Sequence, residues 1–105
     1  MFMVLIDDGL TLQASVAVGT TFVELSGEKN TTTRSELIIT NTSTLNQVIT
    51  LGIGQDAVAG VGIVLYPGSS FVASIDARYK PTNQRITAIA SAAAGSVAYY
   101  ERCGV

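Results

Sequence analysis

The sequence predicts an all-β protein: a single antiparallel β-sandwich, jelly-roll-like, of about eight strands. Three observations carry that expectation. Short apolar, β-branched runs recur along the chain at a spacing of about 8–12 residues, the rhythm of a small sandwich or barrel. Clusters of Gly, Pro, Asn, Ser and Thr stand between them, as in Tyr66-Pro67-Gly68-Ser69 and Asn41-Thr42-Ser43-Thr44-Leu45-Asn46. At 105 residues the chain is long enough to bury one core without covalent staples, so residues 1–105 are read as one domain.

Taken in order, residues 1–9 read as an N-terminal arm or edge strand carrying Phe2, Val4 and Ile6. Residues 10–18 alternate, which places Leu10, Leu12, Ala14, Val16 and Val18 on one face of a half-buried strand. Gly19-Thr20-Thr21 turns the chain into a strand over 22–25, and the polar, Gly-containing stretch 26–31 suits an exposed loop tip. Residues 34–40 form a third strand. The 41–46 segment is dense in side chains that hydrogen-bond their own backbone, and it is expected to turn that strand into a hairpin with 47–53. Gly52, Gly54 and Gly60 make the following stretch a wide loop rather than a helix. The strand over 62–66 ends at Pro67-Gly68, Pro at i+1 and Gly at i+2 of a type II turn, and 70–76 returns with Phe71, Ala73 and Ile75 on one face. Alanines at 88–94 favour helix, but the short length and β-branched neighbours favour strand, turn and strand over 85–102. In the last strand Tyr99 and Tyr100 point to opposite faces.

Composition excludes more than it proposes. Charged residues make up 13% of the chain, against about 25% in an average soluble protein. So little charge is expected where partner subunits cover the exterior, because interface cores are depleted in ions, and the chain is therefore read as a homo-oligomer. A net charge of −2 without a Lys/Arg cluster leaves no footprint for nucleic acid. No apolar run reaches the ~20 residues that cross a bilayer, so no membrane partner is expected. The apolar start has no basic n-region and runs into Asp7-Asp8, which reads as a chain without an export signal, made in the cytoplasm. Cys103 is the lone cysteine and has no internal disulfide partner.

The absence of histidine removes Ser-His-Asp and Cys-His catalysis and nearly every zinc site. Gly52-Ile53-Gly54-Gln55-Asp56-Ala57 matches the letters of a dinucleotide fingerprint, but another strand follows where the motif needs a helix. Asp7, Asp8, Glu24, Asp56, Asp76 and Glu101 show no spacing that pairs two carboxylates for glycosidase work. No Trp is present, and the tyrosines are scattered, so a sugar-stacking surface is weakly supported. The expectation is therefore a protein that is not an enzyme and holds no cofactor or metal.

The order of phrases carries a resemblance: Ser15-Val16-Ala17-Val18-Gly19-Thr20-Thr21, then Arg34-Ser35-Glu36-Leu37-Ile38-Ile39-Thr40-Asn41-Thr42-Ser43, then Gly62-Ile63-Val64-Leu65-Tyr66-Pro67-Gly68-Ser69-Ser70, and finally Ile86-Thr87-Ala88-Ile89-Ala90 leading to Val97-Ala98-Tyr99-Tyr100-Glu101. Over residues 14–102 the chain resembles the small β-sandwich accessory head proteins of tailed bacteriophages, called decoration or cement proteins. The resemblance implies a capsid-surface protein of the virion that binds the major capsid protein and stabilises the shell. Candidate contact residues are Phe2, Val4 and Ile6 in the arm, Glu28, Lys29 and Asn30 in the first polar loop, and Thr42, Leu45 and Asn46 in the second. A tail or head-tail connector component, or a receptor- or carbohydrate-binding module, is the alternative reading.

Overall fold

A computed structural model describes residues 10–30, 32–75 and 80–104, so Phe2, Val4 and Ile6 lie outside the described residues. It contains eight strands: β1 (Leu10–Val18), β2 (Val23–Ser26), β3 (Arg34–Asn41), β4 (Ile49–Ile53), β5 (Ile63–Leu65), β6 (Ser70–Ser74), β7 (Ile86–Ala90) and β8 (Gly95–Cys103). They form two four-stranded antiparallel sheets, here sheet A in the order β1-β8-β3-β6 and sheet B in the order β2-β7-β4-β5. The partners β1:β8, β3:β6, β2:β7 and β4:β5 describe one long hairpin whose bend lies between β4 and β5. Rolling that hairpin over itself adds β3:β8 and β4:β7 and gives the eight-stranded jelly roll.

Strand alternation turns one face of each sheet inward. Val97, Leu37, Ile39 and Val18 from sheet A meet Ile49, Leu51, Leu65, Ile86, Ala88 and Ala90 from sheet B, and Val16, Val23, Ile53, Ile63, Phe71 and Tyr99 close the rim. Tyr99 faces this core while Tyr100 faces out and donates its hydroxyl to Glu36 Oε1 at 3.3 Å, as the alternation predicts. The Pro67-Gly68 turn is also as expected: Ser69 N–H donates to Tyr66 O at 2.8 Å and Gly68 has φ +85°.

Three local expectations are corrected. The 41–48 segment does not close a hairpin, because β3 lies in sheet A and β4 in sheet B. Local turn chemistry in this chain bridges the two layers, and the pairing partners lie far away in sequence. Among the described side chains of β1, residues 11–18, only Val18 is fully buried and Val16 partly, whereas Leu12 and Ala14 of the same face are exposed, since the four-residue β2 of the opposite sheet is too short to cover them. Ile75 follows the end of β6 and is 51% exposed, although Ala73 is buried.

The wide loop over 54–61 folds back across the outer face of sheet B. Thr50 Oγ1 accepts Gly60 N–H at 2.9 Å and Thr87 Oγ1 donates to Gln55 O at 2.8 Å, so both threonines are buried on what is nominally the solvent side. This explains Gly52, since a Cβ there would stand 2.6 Å from Thr87 Oγ1, 2.7 Å from Gln55 O and 2.9 Å from Ala57 Cα. Two of those three atoms are backbone and yield only if the loop lifts. Gly52→Ala is therefore expected to lower stability by about 1–3 kcal/mol in urea unfolding with an unchanged slope. Gly19→Ala, where nothing lies within 4 Å, serves as the neutral control.

Candidate functional site

Because consecutive strands run in opposite directions, the connections segregate to two ends of the sandwich. Loops 19–22, 42–48, 66–69 and 91–94 share one end, and the described residues of the remaining connections, 27–30, 32–33, 54–62, 75 and 80–85, share the other. The nine residues of β8 set these ends roughly 30 Å apart at about 3.3 Å per residue. Each end is organised by its own buried polar group.

At one end Arg34, the first residue of β3, is fully buried. Its guanidinium has five N–H donors, and each finds an acceptor. Nε donates to Glu101 Oε1 at 2.8 Å, Nη1 to Thr82 O and Gln84 O at 2.7 Å each, and Nη2 to Ser26 Oγ and Gly27 O at 2.8 Å each. Glu101, on the inward face of β8, also accepts Ser26 Oγ–H at 2.6 Å on Oε1, Lys29 Nζ at 3.0 Å on Oε2, and the Cys103 thiol at 3.5 Å on Oε2. One guanidinium thus ties β3, β8, the end of β2 and the 80–85 segment into a single unit. Burial by itself raises the Glu101 pKa, but the hydrogen bonds from Arg34, Ser26 and Lys29 and the Arg34 charge outweigh it and lower the value from 4.5 to about 2. Burial and then the Glu101 carboxylate raise the pKa of Cys103, which keeps that sulfur a thiol.

At the other end the organiser is neutral. Asn41 Nδ2 donates to Gln47 O and Leu65 O, both at 2.9 Å, and its Oδ1 accepts Ser43 N–H at 2.9 Å. Gln47 Nε2 reaches Ala93 O at 3.0 Å, and its Oε1 accepts Leu45 N–H at 3.1 Å. Backbone bonds add Thr42 N to Ser96 O, Ser91 N to Val48 O, Gly68 N to Asn41 O and Ala90 N to Gly19 O, at 2.8–3.0 Å. The loops of this end are therefore tied to one another and to the strand ends beneath them.

Charge is distributed along the same axis. Loops 19–22, 42–48, 66–69 and 91–94 contain no Asp, Glu, Lys or Arg. Among the described residues Glu28, Lys29, Asp56, Lys80 and Arg85 all belong to the connections of the opposite end. The charge-free end exposes Phe22 (39%), Leu45 (69%) and Tyr66 (63%). Val58, Val61 and Ile75 are exposed in the opposite connections, alongside Asp56, Lys80 and Arg85 in sequence.

The residues expected from sequence to form one contact surface are thus divided between the two ends. Thr42, Leu45 and Asn46 lie exposed at the charge-free end, and Glu28 and Asn30 are exposed at the charged one. Lys29 is not free for a partner, since its ammonium is spent on Glu101. Phe22 and Tyr66 join Leu45 at the same end, which sequence reading missed because their loops are distant in the chain. Arg34 was read only as the start of a strand, although a signal existed: Glu101 shares the inward parity of Val97 and Tyr99, and an acid at an inward position demands a cation.

Among the described residues no three His, Cys, Asp or Glu side chains converge on a metal-sized site. Asp56 pairs with Arg85 at 2.6 Å at a partly exposed position, a contact worth little to stability. The fold and these ends define an eight-stranded jelly-roll sandwich with a charged end and a charge-free end. No protein-family model matches the chain, and no curated protein matches it either.

The carboxylate fixes the acid response. A group whose folded pKa lies below its unfolded value contributes stability above the unfolded value and loses it as pH falls toward the folded one. Stability against urea should therefore be level above pH 4.5 and decline between about 4.5 and 2. Glu101→Gln should be less stable at neutral pH and flatten that decline. Arg34→Ala, which strands a buried carboxylate, should cost about 3–5 kcal/mol by the same measurement. Cys103, 2% exposed, should resist thiol reagents until the chain unfolds.

Proposed function

We propose that this chain is a non-enzymatic virion structural protein, a decoration protein that binds the exterior of a tailed-phage capsid through its charge-free end and stabilises the shell. The observation that carries the reading is that end: loops without an ionisable side chain, exposing Phe22, Leu45 and Tyr66. Such a surface docks without desolvating an ion, and aromatic and aliphatic anchors on a charge-depleted patch are the composition of an interface core. The hydrogen bonds centred on Asn41 and Gln47 hold the loops in place beforehand, so little ordering entropy is lost on binding. The eight-stranded jelly roll is also an architecture of viral capsid domains, and this agrees with the phage resemblance of residues 14–102.

The mechanism is mass action rather than chemistry. A ligand that binds only the assembled shell stabilises it in proportion to its occupancy, and repetition over a symmetric lattice turns modest single contacts into high avidity. The protein is made in the host cytoplasm and ends in the virion.

Co-sedimentation with heads stripped of accessory proteins tests this. The wild-type chain should bind saturably at a fixed ratio to the major capsid protein. Leu45→Asp combined with Tyr66→Ser should weaken binding more than about tenfold, while Glu28→Gln should leave it unchanged. Absence of binding to heads overturns the reading, and recovery of the chain with purified tails assigns it to the tail or connector.

A further inference from the structure

Four strands form the lateral edges of the two sheets, and three of them are guarded in ordinary ways. β2 has four residues, carries Glu24 and is interrupted by a register shift between Glu24 and Ser26. β5 has three residues, with Pro67 two positions beyond its end. β6 has five, beginning and ending in serine. Short length, bulges, charge and proline are the devices that keep an edge from pairing with another chain.

β1 has none of them. It runs nine residues, Leu-Thr-Leu-Gln-Ala-Ser-Val-Ala-Val, without a charge, a proline or a glycine, and its register with β8 is unbroken. β8 is its only strand neighbour among the described residues, and none of the described strands pairs with the backbone N–H and C=O groups of its other edge. Residues 11–15 are exposed on both faces, including Leu12 and Ala14 on the side that turns toward the core further along the strand.

We propose that β1 is a dimerisation strand: two copies of this chain pair β1 with β1 antiparallel about a two-fold axis perpendicular to sheet A, fusing two four-stranded sheets into one of eight strands. The pattern of β1 is suited to itself. Directly opposed residues of an antiparallel ladder share a face. A two-fold axis perpendicular to the sheet preserves the faces, so every permitted register sets Leu12, Ala14, Val16 and Val18 against the same set in the other copy. Thr11, Gln13, Ser15 and Ala17 likewise meet one another, and no register brings two like charges together. The pairing supplies acceptors and donors to the open edge and gives the uncovered Leu12 and Ala14 apolar neighbours. It is an isologous contact, the commonest symmetry of soluble oligomers.

The geometry has one functional corollary. Antiparallel pairing sends the two charge-free ends to opposite extremities of the dimer. A dimer lying along a shell would reach two neighbouring subunits at once, which is a clamp. The dimer itself stands or falls without the capsid reading, because it is measured with no capsid present.

Sedimentation equilibrium of the purified full-length chain over the micromolar range should give the dimer mass. Gln13→Lys with Ser15→Lys, at exposed positions on the outer face, should raise the dissociation constant more than about tenfold and leave the thermal melting of the monomer's own circular dichroism intact. Mixing that variant with Gln13→Glu/Ser15→Glu should restore the dimer, a rescue that general destabilisation does not produce. Backbone hydrogen exchange of the alternate β1 amides that point away from β8 should be slow in the wild type and fast in the lysine variant, while the amides bonded to β8 stay protected in both. A wild-type monomer overturns the proposal, as does an oligomer that the lysine variant leaves intact. Protection of those outward amides that appears only on capsid binding also overturns it and gives the edge to the capsid protein.

Discussion

A guanidinium that leaves water must find an acceptor for each of its five N–H groups, and few positions in a protein can supply five. Arg34 finds them on two side chains, Glu101 and Ser26, and three backbone carbonyls, Gly27, Thr82 and Gln84. The requirement works in both directions. The arginine is tolerable in the interior only if β8 presents Glu101 at that rung, if the chain leaving β2 bends so that Gly27 O points inward, and if the 82–84 segment crosses above. Each element is thereby told where the others must be. Apolar burial drives the two sheets together but is indifferent to small slips in their relation, whereas a fork of directed donors is not. Removing either charged partner costs more than the pair contributes net, so its role is to specify one arrangement.

The opposite end reaches the same specificity with amides. Asn41 and Gln47 satisfy backbone groups of neighbouring loops without placing an ion near the surface. That choice has a consequence for recognition, because an interior ion at this end would have brought a counter-charge with it, and the surface would no longer be free of charge. The chain confines its ionic organisation to one end and leaves the other suited to contact with protein.

Much of this fold was legible in the sequence because it is written locally. Apolar, β-branched runs bounded by turn residues located all eight strands, the Tyr66-Pro67-Gly68-Ser69 turn was read with its conformation, and the alanine-rich stretch before Gly95 resolved as strand, turn and strand. What stayed hidden depends on distance along the chain. The 41–48 loop has the side chains of a hairpin turn, yet it spans two layers, and nothing within it reports which strand its neighbours will pair with. Arg34 and Glu101 are separated by 67 positions, so neither residue's context announces the other. The loops of the charge-free end likewise come together only once the roll is closed, which is why Leu45 was picked out alone while Phe22 and Tyr66 were not.

The pairing scheme also imposes an order in time. The β4:β5 hairpin is local, β3:β6 and β2:β7 enclose it at growing separation, and β1:β8 joins Leu10 to Cys103. Loop-closure entropy favours zippering outward from the centre, so the widest pair closes late. On the ribosome β1 emerges before β8, and among the described strands it must wait for β8 to be synthesised before it has a partner. During that interval it is an uncharged, proline-free β-segment with two open edges, the kind of species that associates wrongly at high local concentration. Crowded synthesis is therefore a stage at which this unguarded strand is open to mispairing.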